Sequence, residues 1–276
     1  MYFWRVLKNL QFCAAKIPAG VEAVEMKIKV NKILSYLALT AAGISAAVAC
    51  SPDSPEDPEP EVPQKVQWQA GDTVSAADLQ AVGEDAFFEC VPIPDSIFDA
   101  MQGKSFKADC TVARDSLRYI RCLHADKYGN SIVGEMVLSR TIAGEVLEIF
   151  RKLYDAGYPI ERMLLIDRWD ADDEMSMRDN NSSSFNFRFI SHTQTVSKHG
   201  LGLAVDINPL YNPYHKYLSD GTEIIEPATG APYLDRTADF DYKIERGDLC
   251  YKLFSAAGFK WGGNWANRKD YQHFEK

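Results

Sequence analysis

Nowhere does the chain carry the excess of basic residues that phosphate recognition requires: 30 Lys and Arg stand against 39 Asp and Glu, a formal charge of −9. Nucleic acid is thereby excluded as a partner. Cysteine is sparse, six in 276 residues, which excludes a disulfide-stapled miniprotein. No close Cys-x-x-Cys pair exists to build a zinc-cysteine site. The apolar run at 33–49 falls short of the roughly 20 residues that span a bilayer, and no positive stop-transfer cluster follows it. Neither an internal repeat nor a regular alternation of strand and helix is present, so the class is α+β rather than a parallel α/β sheet. With 46% hydrophobic and 25% charged residues the chain can bury an ordinary globular core, and its length allows one domain or two.

The N-terminal part reads as an address. Lys27, Lys29 and Lys32 precede the apolar run, which ends in small residues, so 26–49 has the form of a secretion signal. Ala47-Val48-Ala49-Cys50 resembles a bacterial lipobox, with Ala where Leu is commoner, and predicts a lipid on Cys50; simple secretion and an uncleaved anchor are the alternatives. Residues 1–25 then stand as an upstream extension, with Met26 the expected start. Residues 50–66 are dominated by Pro, Asp, Glu and Ser and read as a disordered tether. The expected location is the cell envelope: exported, lipid-anchored at the membrane through Cys50, in the periplasm or on the outer surface.

The body, 67–276, opens with a helix capped by Ser75 that runs to about residue 88, and a second from 94 or 95 to 101. Alternation at 117–124 and 131–138 about the turn at Tyr128-Gly129-Asn130 predicts a hairpin. An apolar stripe over 141–154 predicts a helix closed near Gly157. Residues 162–167 read as a buried strand, 177–184 as a polar surface loop, and 207–241 as a long irregular excursion. Phe185, Phe187 and Phe189 share one face, which puts Arg188 on the other. A last helix is expected over 247–257. Cys90, Cys110, Cys122 and Cys250 either pair as disulfides, in one of three connectivities, or remain buried thiols. His124, His192 and His215 stand alone and read as structural or surface. Tyr211, Tyr214 and Tyr217 read either as the lining of a groove or as packing in the excursion.

Two segments carry chemistry. In the first, His199 and Asp206 flank Gly200 and Gly202. Residues seven apart in a strand point to opposite faces, so the pair converges only if the chain bends at the glycines. Ala204 shares the face of Asp206 and leaves room for an ion. In the second, His273 completes the three protein ligands of a hydrolytic zinc site. Attack of a metal-activated water on an amide also needs a base that is not itself a ligand. Asp270, three residues before His273, is the candidate, with Glu275 in reserve and Asp248 read as a surface carboxylate. Arg188, or alternatively Arg178, is the candidate to stabilise the oxyanion.

The pattern Ser197-x-His199-x-x-Gly202-x-Ala204-x-Asp206, then Trp261-Gly262-Gly263-x-Trp265 and Lys269-Asp270-Tyr271-x-His273-Phe274, resembles the zinc D-alanyl-D-alanine carboxypeptidases. That group includes the vancomycin-resistance dipeptidases and carboxypeptidases and the phage L-alanyl-D-glutamate endopeptidases. The resemblance covers about 163–276. It implies an α+β fold shared with the Hedgehog signalling domain, an antiparallel or mixed sheet flanked by helices. It also implies Zn2+ on His199, Asp206 and His273, Asp270 as base, an arginine at the transition state, and Ser197 beside the substrate, a peptidoglycan stem peptide. Asn264 departs from the pattern, where relatives often carry Asp. A non-catalytic zinc-containing envelope module is the alternative, and a nutrient-binding lipoprotein a plainer third reading.

Overall fold

The computed structural model describes residues 68–190 and 193–276, all within the unit Lys65–Lys276. The signal, Cys50, the tether and His192 fall outside these residues. β1 (Thr73–Val74) leads into Ser75, whose hydroxyl accepts from the Asp78 amide at 3.1 Å and starts α1 (Ala76–Val82). The helix expected to reach residue 88 stops at Gly83, which takes φ +85°; a 3-10 turn at Glu84–Phe87 follows. β2 (Glu89–Val91) and α2 (Asp95–Met101) come next, α2 as its sequence predicts.

β3 (Leu117–Ala125) and β4 (Ser131–Ser139) form the expected hairpin, in register from Leu117↔Ser139 to Ala125↔Ser131. The sheet order is β1-β4-β3-β2. Period-two alternation sends Ile120 and Cys122 of β3, and Met136 and Leu138 of β4, into the main core. There they meet α3 (Ala143–Asp155), which turns Val146, Ile149, Phe150 and Leu153 inward at helical spacing. Each fully buried side chain of this size contributes about 2 kcal/mol.

The segment expected to be one strand at 162–167 is divided. Only β5 (Arg162–Met163) is extended. It pairs in parallel with β6 (Asn181–Ser182), which follows the short helix α4 (Asp173–Arg178). The Asn181 side chain takes the next step of the ladder, its amide oxygen accepting from the Leu164 N–H at 2.8 Å and its NH2 donating to the Leu164 carbonyl at 3.0 Å. The chain then turns into a 3-10 helix at Ile166–Trp169. Nor is 177–184 a surface loop: Asn180, Asn181, Ser182 and Ser184 are buried, and their side chains supply the hydrogen bonds that make burial affordable.

β7 (Ala204–Asp206) precedes a second difference from expectation. The presumed excursion contains the antiparallel pair β8 (Tyr214–Tyr217) and β9 (Glu223–Glu226). Helix α5 (Leu249–Ala256) is capped by Asp248, which is no bland surface group: it accepts from the Tyr251 amide at 2.6 Å and from the Tyr158 hydroxyl at 2.9 Å. β10 (Lys260–Trp261), β11 (Lys269–Asp270) and β12 (His273–Glu275) complete two further sheets, ordered β10-β12-β7 and β11-β8-β9. The architecture is mixed, with antiparallel sheets and helices, in keeping with α+β. Phe254 of α5 stacks on Phe274 of β12 at 4.5 Å between ring centroids and ties the C-terminal strand to the core. Cys90, Cys110, Cys122 and Cys250 are free thiols, the last two buried.

His124 on β3 is 2% exposed, with Nδ1 2.7 Å from the Ile160 carbonyl oxygen. Burial, opposed by that hydrogen bond, lowers its pKa to about 4. Because the folded value lies below the unfolded one, its contribution is complete above pH 6.5 and is lost as pH falls towards 4. The loss amounts to about 2 kcal/mol by pH 4.5. Urea unfolding at pH 7 and pH 4.5 checks this: His124→Met, which takes up no proton, should lose less stability between the two by about that amount.

Candidate metal centre

β7 and β12 lie side by side and antiparallel, with Asp206 directly opposite His273. Directly opposed residues project from the same face, so this register alone brings a carboxylate and an imidazole together. His199 arrives from the turn before β7. Ser197 organises that turn by accepting from the Gly200 amide at 2.9 Å. Gly202 supplies the bend, at φ +66°, and lies so close to β4 that a Cβ would come within 2.6 Å of the Ser139 nitrogen. Gly200 has a different role from the bend expected of it: a Cβ there would meet the Arg188 carbonyl oxygen at 2.9 Å and the Val196 side chain at 2.7 Å.

The result is a buried triangle. His199 Nε2 is 3.1 Å from His273 Nδ1 and 3.2 Å from Asp206 Oδ2, and His273 Nδ1 is 3.0 Å from Asp206 Oδ1. A tetrahedral zinc ion with bonds of about 2.0–2.1 Å separates its ligands by roughly 3.3 Å. The spacing therefore fits that ion with little adjustment. The outer ring nitrogens are also engaged, His199 Nδ1 with the Ser184 carbonyl oxygen at 2.8 Å and His273 Nε2 with Glu275 Oε2 at 3.3 Å. Such outer partners are what orients metal-binding imidazoles. Burial opposes ionisation of Asp206, but the adjacent His199 and His273 outweigh it and hold the carboxyl well below its usual range. His273, despite its burial, is raised to about 10 by hydrogen bonds to Asp206 and Glu275. Two nitrogens and a carboxylate at these distances need a proton or a cation among them.

Asp270 comes from the neighbouring sheet, where β11 pairs with β8 and Asp270 faces Tyr214. Tyr214 is in turn opposite Glu226 on β9, so Asp270, Tyr214 and Glu226 share one face. Burial raises the Asp270 pKa to about 7, assisted by Asp206 and Glu226 and opposed by His273. Its Oδ1 is buried and has no hydrogen-bond partner among the described residues. The Trp261-Gly262-Gly263-x-Trp265 segment is the backing of this carboxylate. A Cβ on Gly262 would lie 2.5 Å from the Asp270 carbonyl oxygen and 2.7 Å from its Cβ. Lys269 Nζ donates to the Gly263 and Trp265 carbonyls, and the Trp265 ring lies 5.4 Å from that of His273. Asn264 is exposed and accepts from Arg246.

Arg188 is half-buried beside the triangle. Its Nε donates to Asp173 Oδ2 at 2.6 Å and its Nη1 to Ser197 Oγ at 3.2 Å. Burial would weaken its charge, but Asp173, with further help from Asp206 and Glu226, raises its pKa. Arg178 is exposed at the end of α4 and forms no part of this cluster. The hydroxyl of Ser197 is thus engaged with Gly200 and Arg188. Asp173, Ser184 and Glu226 escaped the sequence reading. Only Glu275, two residues from His273 on one strand, left a usable signal there.

Residues 191–276 match the family model for D-alanyl-D-alanine carboxypeptidase. No curated protein and no solved structure matches the chain. Arg188 and Asp173 precede the matched segment; His199, Asp206, Asp270 and His273 all fall inside it. Over residues 191–276 the chain is thus similar to the D-alanyl-D-alanine carboxypeptidase family of peptidases.

Proposed function

We propose that the protein is a zinc peptidase that hydrolyses peptide bonds of peptidoglycan stem peptides, as a D-Ala-D-Ala carboxypeptidase or an L-Ala-D-Glu-type endopeptidase. The observation that carries this reading is the largely buried triangle of His199, Asp206 and His273 beside the carboxyl group of Asp270, whose Oδ1 has no hydrogen-bond partner among the described residues. His199, Asp206 and His273 would hold the metal, and the Hedgehog/DD-peptidase arrangement is the fold proposed for the domain. When bound there, zinc supplies a Lewis acid that lowers the pKa of water and polarises a carbonyl group.

Asp270 takes the proton of the attacking water and returns it to the leaving amine. Its burial suits it to this work, since a base with a pKa near the working pH both accepts and releases a proton. Arg188, braced by Asp173, donates towards the substrate carbonyl oxygen as negative charge develops on it. Ser197 supports Arg188 and borders the peptide. A secretion signal at 26–49 and a lipid on Cys50, both read from the sequence, would put this chemistry at the cell envelope.

Incubation of the full chain with purified muropeptides, followed by mass spectrometry, tests the proposal. Expected are near-stoichiometric zinc and zinc-dependent cleavage; release of the terminal D-Ala marks a carboxypeptidase, and a cut after L-Ala an endopeptidase. Zinc binding without cleavage of any muropeptide would instead assign the chain to a non-catalytic envelope module.

A further inference from the structure

His273 is held at both ring nitrogens by carboxylates. Asp206 Oδ1 lies 3.0 Å from Nδ1, and Glu275 Oε2 lies 3.3 Å from Nε2. The two nitrogens of an imidazole point in divergent directions, so Glu275 stands on the side of the ring away from His199 and Asp206. There its carboxylate is engaged with a ring nitrogen of His273, a different position from that of the reserve base suggested by its place in the sequence.

The strand geometry explains how the contact forms. His273 and Glu275 are two apart on β12 and project from the same face. Across the ladder, Asp206 opposes His273 and Ala204 opposes Glu275. Ala204 is fully buried, and its single methyl group leaves the space above it open for the Glu275 side chain to fold back along the strand to the imidazole. On the other side Glu275 faces Lys260 of β10, a cation on the same face. His199 is treated differently, since its outer nitrogen meets only the neutral carbonyl of Ser184.

We infer that Glu275 is a positioning residue for the metal centre: it accepts a hydrogen bond from Nε2–H of His273, which leaves Nδ1 as the donor atom turned towards His199 and Asp206 and strengthens it as a ligand. This rests on the zinc reading above and adds to it a fourth side chain that governs how tightly the ion is held.

Competition against a chromophoric chelator, with zinc alone as the probe and the full chain as the protein, tests the assignment. Glu275→Ala is expected to weaken zinc binding 10–100-fold, the usual cost of losing an outer partner of a ligand histidine. Glu275→Gln keeps an acceptor oxygen of the same reach and should recover most of that loss. Thermal unfolding of the metal-free proteins, measured alongside, separates the folding cost of losing the His273 contact from the loss of zinc affinity. Zinc affinity of Glu275→Ala within twofold of wild type would overturn the assignment. So would Glu275→Gln binding no tighter than Glu275→Ala, because the loss would then follow charge rather than position. Wild-type protein that binds zinc and cleaves nothing would defeat the peptidase reading and leave Glu275 in place. A wild type that takes up no zinc would defeat both.

Discussion

Asp270→Asn is expected to lower kcat/KM for peptide hydrolysis by 10²–10⁴-fold, the range spanned by general acid–base catalysis, with zinc content unchanged. The substitution preserves the shape of the side chain and removes its basicity. Asp270 is outside the ligand triangle, on a different sheet, so its loss should not release the ion. Gly262 packs against its backbone and Cβ and fixes where the side chain can lie. Steady-state kinetics on a muropeptide, with metal analysis of the same samples, decides the matter. Activity within tenfold of wild type in a zinc-replete variant would sink Asp270 as the base.

Asp206→Ala should have a larger effect, reducing hydrolysis to background by removing the metal. Asp206 is the only anion of the triangle and bridges both imidazoles. Without it, His199 and His273 present two nitrogens 3.1 Å apart and no charge to offset a dication. The effect is measurable without substrate. A ligand that binds only the folded state stabilises it by about 4 kcal/mol at a thousand times its Kd. For a chain of this length that corresponds to a rise in Tm on the order of 10 °C. Wild type should show this rise on addition of zinc, and Asp206→Ala should show none. A full zinc-dependent shift in the variant would place the ion elsewhere.

Much of the site was legible before the fold was known, for identifiable reasons. His199, Asp206, Asp270 and His273 are residue types whose chemistry is largely independent of context, and their spacing about Gly202 and the Trp-Gly-Gly segment is distinctive. α2, α3 and α5 were legible because caps and apolar periodicity are local. The failures share one cause. Asn180, Asn181, Ser182 and Ser184 look like a solvated loop, yet they are buried because partners distant in sequence satisfy their polar groups. The 162–167 strand is cut short by a side chain from Asn181. The β8–β9 pair was hidden among Pro, Tyr, Asn and Asp, although it is the platform that β11 joins to present Asp270.

The sequence by itself singled out His199, Asp206 and His273 as candidate ligands, Asp270 as the candidate base and the resemblance to the carboxypeptidases, since these depend on residue identity and short spacing. Only the tertiary structure decided that Asp206 faces His273 in register, that Arg188 rather than Arg178 joins the centre, and that Glu275 grips the outer nitrogen of His273. Those outcomes depend on which strands pair and in what alignment, and strand alignment is settled by burial of the whole core rather than by any local run of residues.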